Sequence, residues 1–131
     1  MTRINVIDPA MLSDKHLGAE YRELPRVFGL VRQAAQRGEQ PNDPRNPRQY
    51  LLGKGHVRFF YPRLGYLSQR YLRICAECHS RGRKVAFGDL ASLQRDIPLK
   101  WFGHWNPTPE SITTNIQRIE DRGGLRHANN P

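Results

Sequence analysis

The stretch SDKHLGAEYRELPRVFGLVRQAAQR, residues 13–37, decides the fold. Its apolar residues recur at alternating intervals of four and three, the spacing of one face of an α-helix. They are Leu17, Tyr21, Leu24, Phe28, Val31 and Ala35. Ser13 or Asp14 is suited to cap this helix and Gly38 to end it, while Pro25 inside it predicts a bend. The opposite face carries Lys15, Arg22 and Arg26.

Two further helices are predicted downstream. One runs from about Pro62 to Arg81, and one from about Pro109 to Arg122, with Thr108 as its cap. Four arginines fall largely off the apolar stripe of the first of these: Arg63, Arg70, Arg73 and Arg81. Residues 38–49 contain three prolines and read as a surface loop. We therefore expect an all-α fold: a compact single domain spanning residues 1–131, with three main helices and long connecting loops. From about residue 123 to residue 131 we expect a flexible tail, of which residues 125–131 have nothing to bury.

The charge of the chain indicates its class of partner. Lys and Arg number 21 against 12 Asp and Glu, which gives a net charge of +9. Residues 45–84 hold ten of these bases and a single acid, Glu77, so this stretch accounts for the whole excess. Most of the bases are arginines, whose planar guanidinium groups bind phosphate with paired hydrogen bonds. A nucleic acid is favoured over an inert basic surface.

Several classes of protein are disfavoured. No apolar run approaches the ~20 residues that a membrane helix needs, and MTRINVIDPA at the start lacks an apolar signal core. We expect a cytoplasmic protein that does not contact a membrane. The segment Cys75-Ala76-Glu77-Cys78-His79 matches a haem-attachment pattern, but both cysteines lie on an apolar helical stripe. Two buried thiols are the favoured interpretation, and no second Cys/His pair completes a zinc site.

Two residues stand out as candidates for chemistry. Glu23 is an acid between Arg22 and Arg26 on a basic helical face, where helix spacing alone favours a surface ion pair with Arg26. A carboxylate there would repel phosphate, so a catalytic role is the alternative. Thr2 is small enough for Met1 to be removed. Its free α-amine, with an ordinary pKa near ~7.7–8.0, would be partly neutral and nucleophilic at neutral pH.

The segments Met1-Thr2-Arg3-Ile4-Asn5 and Ala19-Glu20-Tyr21-Arg22-Glu23-Leu24-Pro25-Arg26-Val27-Phe28-Gly29 closely resemble the bacteriophage-type pyrimidine-dimer DNA glycosylase family, also called the endonuclease V family. The resemblance continues with shorter matches further along the chain: Gly55-His56-Val57, Phe59-Phe60-Tyr61, Ala76-Glu77-Cys78, Arg81-Gly82, Asp96-Ile97-Pro98, Gly103, Pro107, Ser111-Ile112 and Arg118. It covers roughly residues 1–122, with residues 38–49 diverged. It implies a compact all-α fold of three helices.

The resemblance also implies a reaction. In that family the α-amine of Thr2 attacks the anomeric carbon of a damaged nucleotide, forms an imine and cuts the strand by β-elimination, without metal or cofactor. Glu23 is the essential carboxylate. Expected DNA contacts come from Arg3, His16, Arg22, Arg26, Arg118 and Arg122, with Lys15 where the family has Gln. We expect a monomer that acts on damaged double-stranded DNA in base excision repair.

The end of the chain departs from the family pattern. The phage enzyme ends in an aromatic-rich tail that helps to recognise the dimer, whereas residues 123–131 contain no aromatic residue. Two alternatives therefore stay open beside the dimer glycosylase. One is the same chemistry with another lesion preference, and the other is a basic DNA-binding protein without catalysis. Trp101 and Trp105 would compensate for the missing tail only if their loop folds over the damaged DNA.

Overall fold

The computed structural model describes residues 3–85 and 90–126, and within these ranges the chain is helical without a strand. The helices are α1 (Asp14–Gln36), α2 (His56–Phe59), α3 (Leu64–Ser80), α4 (Leu90–Gln94) and α5 (Pro109–Asp121), with short 3₁₀ turns at Pro9–Met11 and Leu99–Trp101. The all-α expectation with three main helices is confirmed. None of the described helices is both long and apolar enough to cross a membrane.

Three of the predicted helix ends carry the capping or terminating residue expected from the sequence. The Ser13 hydroxyl accepts from the backbone N–H of His16 at 3.3 Å at the start of α1. The Thr108 hydroxyl accepts from the N–H of Ser111 at 3.1 Å at the start of α5. At the other end of α1, Gly38 adopts a φ of +88°, which a residue with a side chain rarely takes.

The core lies where α1 packs on α3. The larger apolar cluster contains Leu24, Phe28, Leu64, Leu67 and Trp101, together with Phe59, Phe60 and Tyr61 at and after the end of α2. A smaller cluster joins Leu17 of α1 to Ile74 of α3 and Ile119 of α5. Because these clusters hold three helices together, the face of α1 that turns away from them is left free for a site.

The burial of individual side chains tests three of the expectations. The cysteines Cys75 and Cys78 are buried free thiols, as expected, and burial raises the pKa of both. The placement of Arg70 off the apolar stripe of α3 is wrong, because its side chain is only 1% exposed. The expectation that the tail buries nothing is wrong at Leu125, which packs on the smaller cluster and pairs with Leu12.

Only the first part of the predicted tail, residues 123–126, lies within the described residues. The backbone N–H of Arg126 donates to the carbonyl of Met11 at 2.7 Å, and the N–H of Ser13 donates to Gly124 at 2.7 Å. Residues 123–126 therefore pack beside the residues that precede the N-terminus of α1. Residues 127–131 lie outside the described residues.

Candidate functional site

A cleft of about 130 Å³ opens between the N-terminal segment, α1 and α5. Its lining residues come from three distant parts of the sequence: Arg3, Asn5, His16, Ala19, Glu20, Glu23, Arg118, Ile119 and Arg122. Intervals of three and four along α1 and α5 place these side chains in rows that face each other. The cleft therefore brings together five residues that the sequence singled out: Arg3, His16, Glu23, Arg118 and Arg122.

Three predicted site residues do not line the cleft. Lys15, Arg22 and Arg26 are exposed on the neighbouring face of α1, and we call them the basic ridge. Their side chains point into solvent beside the cleft, at the positions that helix periodicity gave them. The ridge is thus suited to contact a ligand that is larger than the cleft and extends across α1.

The N-terminal segment is fixed in place by side chains from other elements. The N–H of Ile4 donates to Nε2 of His56 at 2.9 Å, and the N–H of Val6 donates to Oδ1 of Asn115 at 2.7 Å. Nδ2 of Asn5 donates to Oε1 of Glu20 at 2.8 Å. Arg3 is therefore held at the edge of the cleft. Thr2, the residue before it, lies outside the described residues.

A buried ion pair forms the floor of the cleft. Nε of Arg70 donates to Oε2 of Glu20 at 2.8 Å, and both side chains are almost fully buried. Arg70 also donates to the carbonyl of Ile7. This network ties α1, α3 and the N-terminal segment together, and a buried pair of this kind is strongly sensitive to losing one partner.

Sequence reasoning missed this floor, although a signal for it was present. Glu20 follows Leu17 by three residues and precedes Leu24 by four, so it lies near the apolar face of α1. Arg70 has the same relation to Leu67 and Ile74 in α3. An acid and a base at apolar positions of two packed helices predict a buried pair.

The position of Glu23 is compatible with both interpretations that the sequence left open, a surface ion pair with Arg26 and a catalytic carboxylate. Its Oε2 lies 3.1 Å from Nη1 of Arg26, so the surface ion pair is present. The same carboxylate lines the cleft, and its side chain is 28% exposed whereas that of Arg26 is 69% exposed. Since an exposed pair is worth at most about 1 kcal/mol, it does not prevent Arg26 from turning to another anion.

The cations around Glu23 give the cleft a positive character. Burial lowers the pKa of Arg3, and the neighbouring charge of Arg118 lowers it further. The Nε of Arg118 is buried and has no hydrogen-bond partner within the described ranges. With the charge of Glu20 matched by Arg70, the arginines outnumber the remaining carboxylate. An anionic ligand is favoured here.

His16 is neutral in this setting. Burial lowers its pKa, and the charges of Lys15 and Arg122 lower it further. Its Nδ1 lies 3.2 Å from the hydroxyl of Ser13, and its ring packs against the backbone of Gly124. A Cβ on Gly124 would stand 2.6 Å from the ring, so only glycine fits here. Ser13, near the N-terminus of the chain, and Gly124, near its C-terminus, thus hold the imidazole at the cleft.

Within residues 3–85 and 90–126, no three His, Cys, Asp or Glu side chains form a group that could hold a metal ion. A family model described as pyrimidine dimer DNA glycosylase matches residues 1–89, which is more than half of the chain. The matched range includes the N-terminal segment and all of α1, and it ends before α5.

Proposed function

Because the chain belongs to the pyrimidine dimer DNA glycosylase family, we propose that it removes a damaged base and cuts the DNA strand with the α-amine of Thr2 as nucleophile. The observation that carries this proposal is the cleft, which gathers Glu23 with Arg118, Arg122 and Arg3, the residue that follows Thr2. A carboxylate surrounded by phosphate-binding groups is the arrangement that a reaction on a nucleotide sugar requires.

The first step is the loss of the damaged base. The lone pair of the neutral Thr2 amine forms a bond to C1′ of the sugar while the N-glycosidic bond breaks, and the base leaves with the bonding electrons. Positive charge develops on C1′ and the ring oxygen during this step. The Glu23 carboxylate stabilises that charge, an effect commonly worth about 3–4 kcal/mol of activation free energy.

The second step cuts the strand. The amine then loses a proton, and its lone pair forms a C=N double bond to C1′ while the C1′–O4′ bond breaks and O4′ takes up a proton, which opens the sugar ring. The resulting protonated imine between Thr2 and C1′ acidifies the hydrogens on C2′. Glu23 accepts a proton from C2′, the electrons move to form a double bond, and the C3′–O bond to the 3′ phosphate breaks. Water then hydrolyses the imine and frees the amine. No metal or cofactor takes part in these steps.

The remaining predicted site residues hold the DNA. Arg3, Arg118 and Arg122 line the cleft, where they would bind the phosphates that flank the lesion. Lys15, Arg22 and Arg26 form the basic ridge next to it and would bind the same strand further along. His16 is neutral and serves as a hydrogen-bonding group toward the sugar. The chain acts as a monomer on damaged double-stranded DNA.

The lesion preference follows from the aromatic residues. Trp101 is fully buried in the core, and Trp105 packs on Phe59 and Tyr66 with ring centroids at 5.0 and 5.2 Å. Trp101 is therefore not available to stack on a base. We expect fast incision at an abasic site, whose sugar is already exposed, and slower incision at a pyrimidine dimer. Single-turnover kinetics on one duplex carrying either lesion measures this difference.

A blocked N-terminus tests the proposed nucleophile. Protein that retains Met1, or carries one added residue before Thr2, should lose strand incision while it still binds duplex DNA, because an acylated nitrogen is not nucleophilic. Mass spectrometry should show Met1 absent from active protein. Full incision by the blocked protein would contradict the role of Thr2. Loss of DNA binding as well as incision would show damage beyond the amine.

The alternative of a non-catalytic DNA-binding protein is favoured by one observation, the ion pair between Glu23 and Arg26. In that case the carboxylate has only a surface role. The two functions differ in outcome, since a binding protein without catalysis leaves the DNA strand intact whether or not its N-terminus is blocked.

A further inference from the structure

Two arginine side chains converge on α1 outside the cleft. Nη2 of Arg83 lies 3.0 Å, and Nη1 of Arg22 lies 3.3 Å, from the point where a Cβ on Gly18 would stand. The guanidinium groups are therefore neighbours above Gly18, and they cover it so that this residue is buried while both arginines remain exposed. Two like charges in this arrangement repel each other, which favours an anion between them.

Arg83 is held in position by a contact that leaves its charge available. Its Nη1 donates to the backbone carbonyl of Asp14 in the first turn of α1 at 2.8 Å. The preceding segment is anchored by Arg81, whose Nη1 lies 2.9 Å from a carboxylate oxygen of Asp14. Among the described residues, neither Arg83 nor Arg22 forms an ion pair with a carboxylate.

The position of this pair relates it to the cleft. At ~100° per residue, Gly18 lies on the far side of the exposed basic ridge from His16 and Glu23. A strand that leaves the cleft across α1 would thus pass Lys15 and Arg26 and then reach Arg22 and Arg83. The cations form a path across the helix rather than a scattered surface charge.

We propose that Arg22 and Arg83 together hold one backbone phosphate of the bound DNA above Gly18, an arrangement we call the α1 clamp. The clamp rests on the proposed function, because its ligand is the same duplex. Two guanidinium groups donate to the non-bridging oxygens of one phosphodiester from two directions. Arg83, which sequence reasoning did not select, is thereby a DNA-binding residue.

Gly18 is part of the clamp because it has no side chain. A methyl group there would meet the guanidinium of Arg83 and displace it, since the atoms it meets are the ends of flexible side chains. Gly29 is a matched control on the same helix, because nothing lies within 4 Å of the point where its Cβ would stand. Alanine at either position should leave the melting temperature unchanged or higher, since alanine is the better helix former.

The test compares Gly18→Ala, Gly29→Ala and Arg83→Gln in the full chain, binding a fluorescent undamaged duplex over a range of salt. Gly18→Ala and Arg83→Gln should each bind roughly tenfold more weakly. The plot of log affinity against log salt should become shallower by about one unit for Arg83→Gln. Gly29→Ala should bind as the wild type does.

The outcomes separate the clamp from the proposed function. The clamp is overturned if Arg83→Gln and Gly18→Ala bind the duplex as tightly, and with the same salt dependence, as Gly29→Ala. Should the wild-type chain itself bind without salt dependence, both the clamp and the proposed function are overturned. Weaker binding of the two clamp variants, with incision at saturating protein retained, supports the clamp and leaves the catalytic assignment standing.

Discussion

The two most basic regions of the molecule differ in what their charges do. Residues 45–84 hold the entire net charge of the chain, yet most of their arginines already have partners within the protein. Arg45 pairs with Asp43 at 2.9 Å and Arg58 with Glu39 at 2.8 Å. Arg63 lies over the ring of Phe59 at 3.9 Å. Much of the charge that is most visible in the sequence is used to hold loops and helices together.

The cleft and the basic ridge show the opposite pattern. Their cations are fewer and come from separate segments, but they surround one carboxylate and lie toward open space. The lesson is that the density of charge along a sequence does not locate a binding surface. What locates it is the place where the fold gathers charges from separate segments around one open cleft.

Removing Arg70 should have the largest effect on stability, because it breaks a structural pair in the charge-rich region. Arg70→Met leaves the Glu20 carboxylate buried without its cation, which costs about 3–5 kcal/mol of unfolding free energy. Thermal or urea unfolding measures this loss. Arg73→Met is the matched control, since Arg73 is exposed and lies 3.8 Å from Asp8. Equal stability of the two variants would refute the structural role of Arg70.

Glu23→Gln should reduce strand cleavage by roughly 10²–10³-fold, which is the effect of losing one oriented charge at a reacting centre. Binding to duplex DNA should persist or become tighter, because a charge that repels phosphate is removed. Single-turnover incision and a binding titration measure the two properties. Glu120→Gln removes an exposed carboxylate elsewhere and serves as the control. A fall of less than about tenfold would make Glu23 only a surface partner of Arg26.

Arg26→Ala and Arg45→Ala compare the two regions directly. Arg26 is on the basic ridge, so its removal should lower the slope of log affinity against log salt by about one unit. Arg45 belongs neither to the cleft nor to the basic ridge, and it contacts two carboxylates, those of Asp43 and Glu39, so its removal should leave that slope unchanged. An equal change of slope in both variants would mean that Arg45 also binds the DNA.

The smallest predicted effect is a dependence of stability on pH. Burial lowers the pKa of His56, whose neutral Nε2 accepts from the N–H of Ile4. The unfolded chain therefore binds a proton more readily than the folded chain, so stability is present above the ordinary pKa of ~6.5 and is lost as the pH falls below it.

Between about pH 7 and about pH 5, the melting temperature should accordingly fall by a few degrees, before carboxylates titrate. His56→Gln should show a smaller fall than the wild type, because the buried imidazole whose pKa is lowered is then absent. The burial of His16 contributes in the same direction, since its pKa is also lowered. A melting temperature that rises on acidification would contradict the neutral state of His56.

The sequence predicted the long helices well because their signals are local. Apolar intervals along residues 13–37 and the side-chain caps at Ser13 and Thr108 depend on neighbours within one or two turns. The same periodicity placed His16 and Glu23 on one side of α1. These features are set before any long-range contact forms.

The parts that sequence reasoning missed depend on contacts between distant segments. The pairing of Arg70 with Glu20 joins residues fifty positions apart, and the hydrogen bond from Val6 to Asn115 joins the two ends of the chain. Leu125 is held by Leu12 in the same way. The convergence of Arg83 on Gly18 also requires α3 to end against α1. Local periodicity indicates that Glu20 and Arg70 are buried, but it does not specify which distant residues meet.

The central claim, an amine nucleophile beside Glu23, is tested most directly by trapping the imine. Borohydride should reduce the bond between the protein and an abasic duplex to a stable amine, and peptide mapping should then locate the adduct. The expected cross-linked peptide begins at Thr2, and the nitrogen joined to the sugar is its α-amine. An adduct on a lysine such as Lys15, or no covalent adduct in protein that binds the duplex, would contradict it.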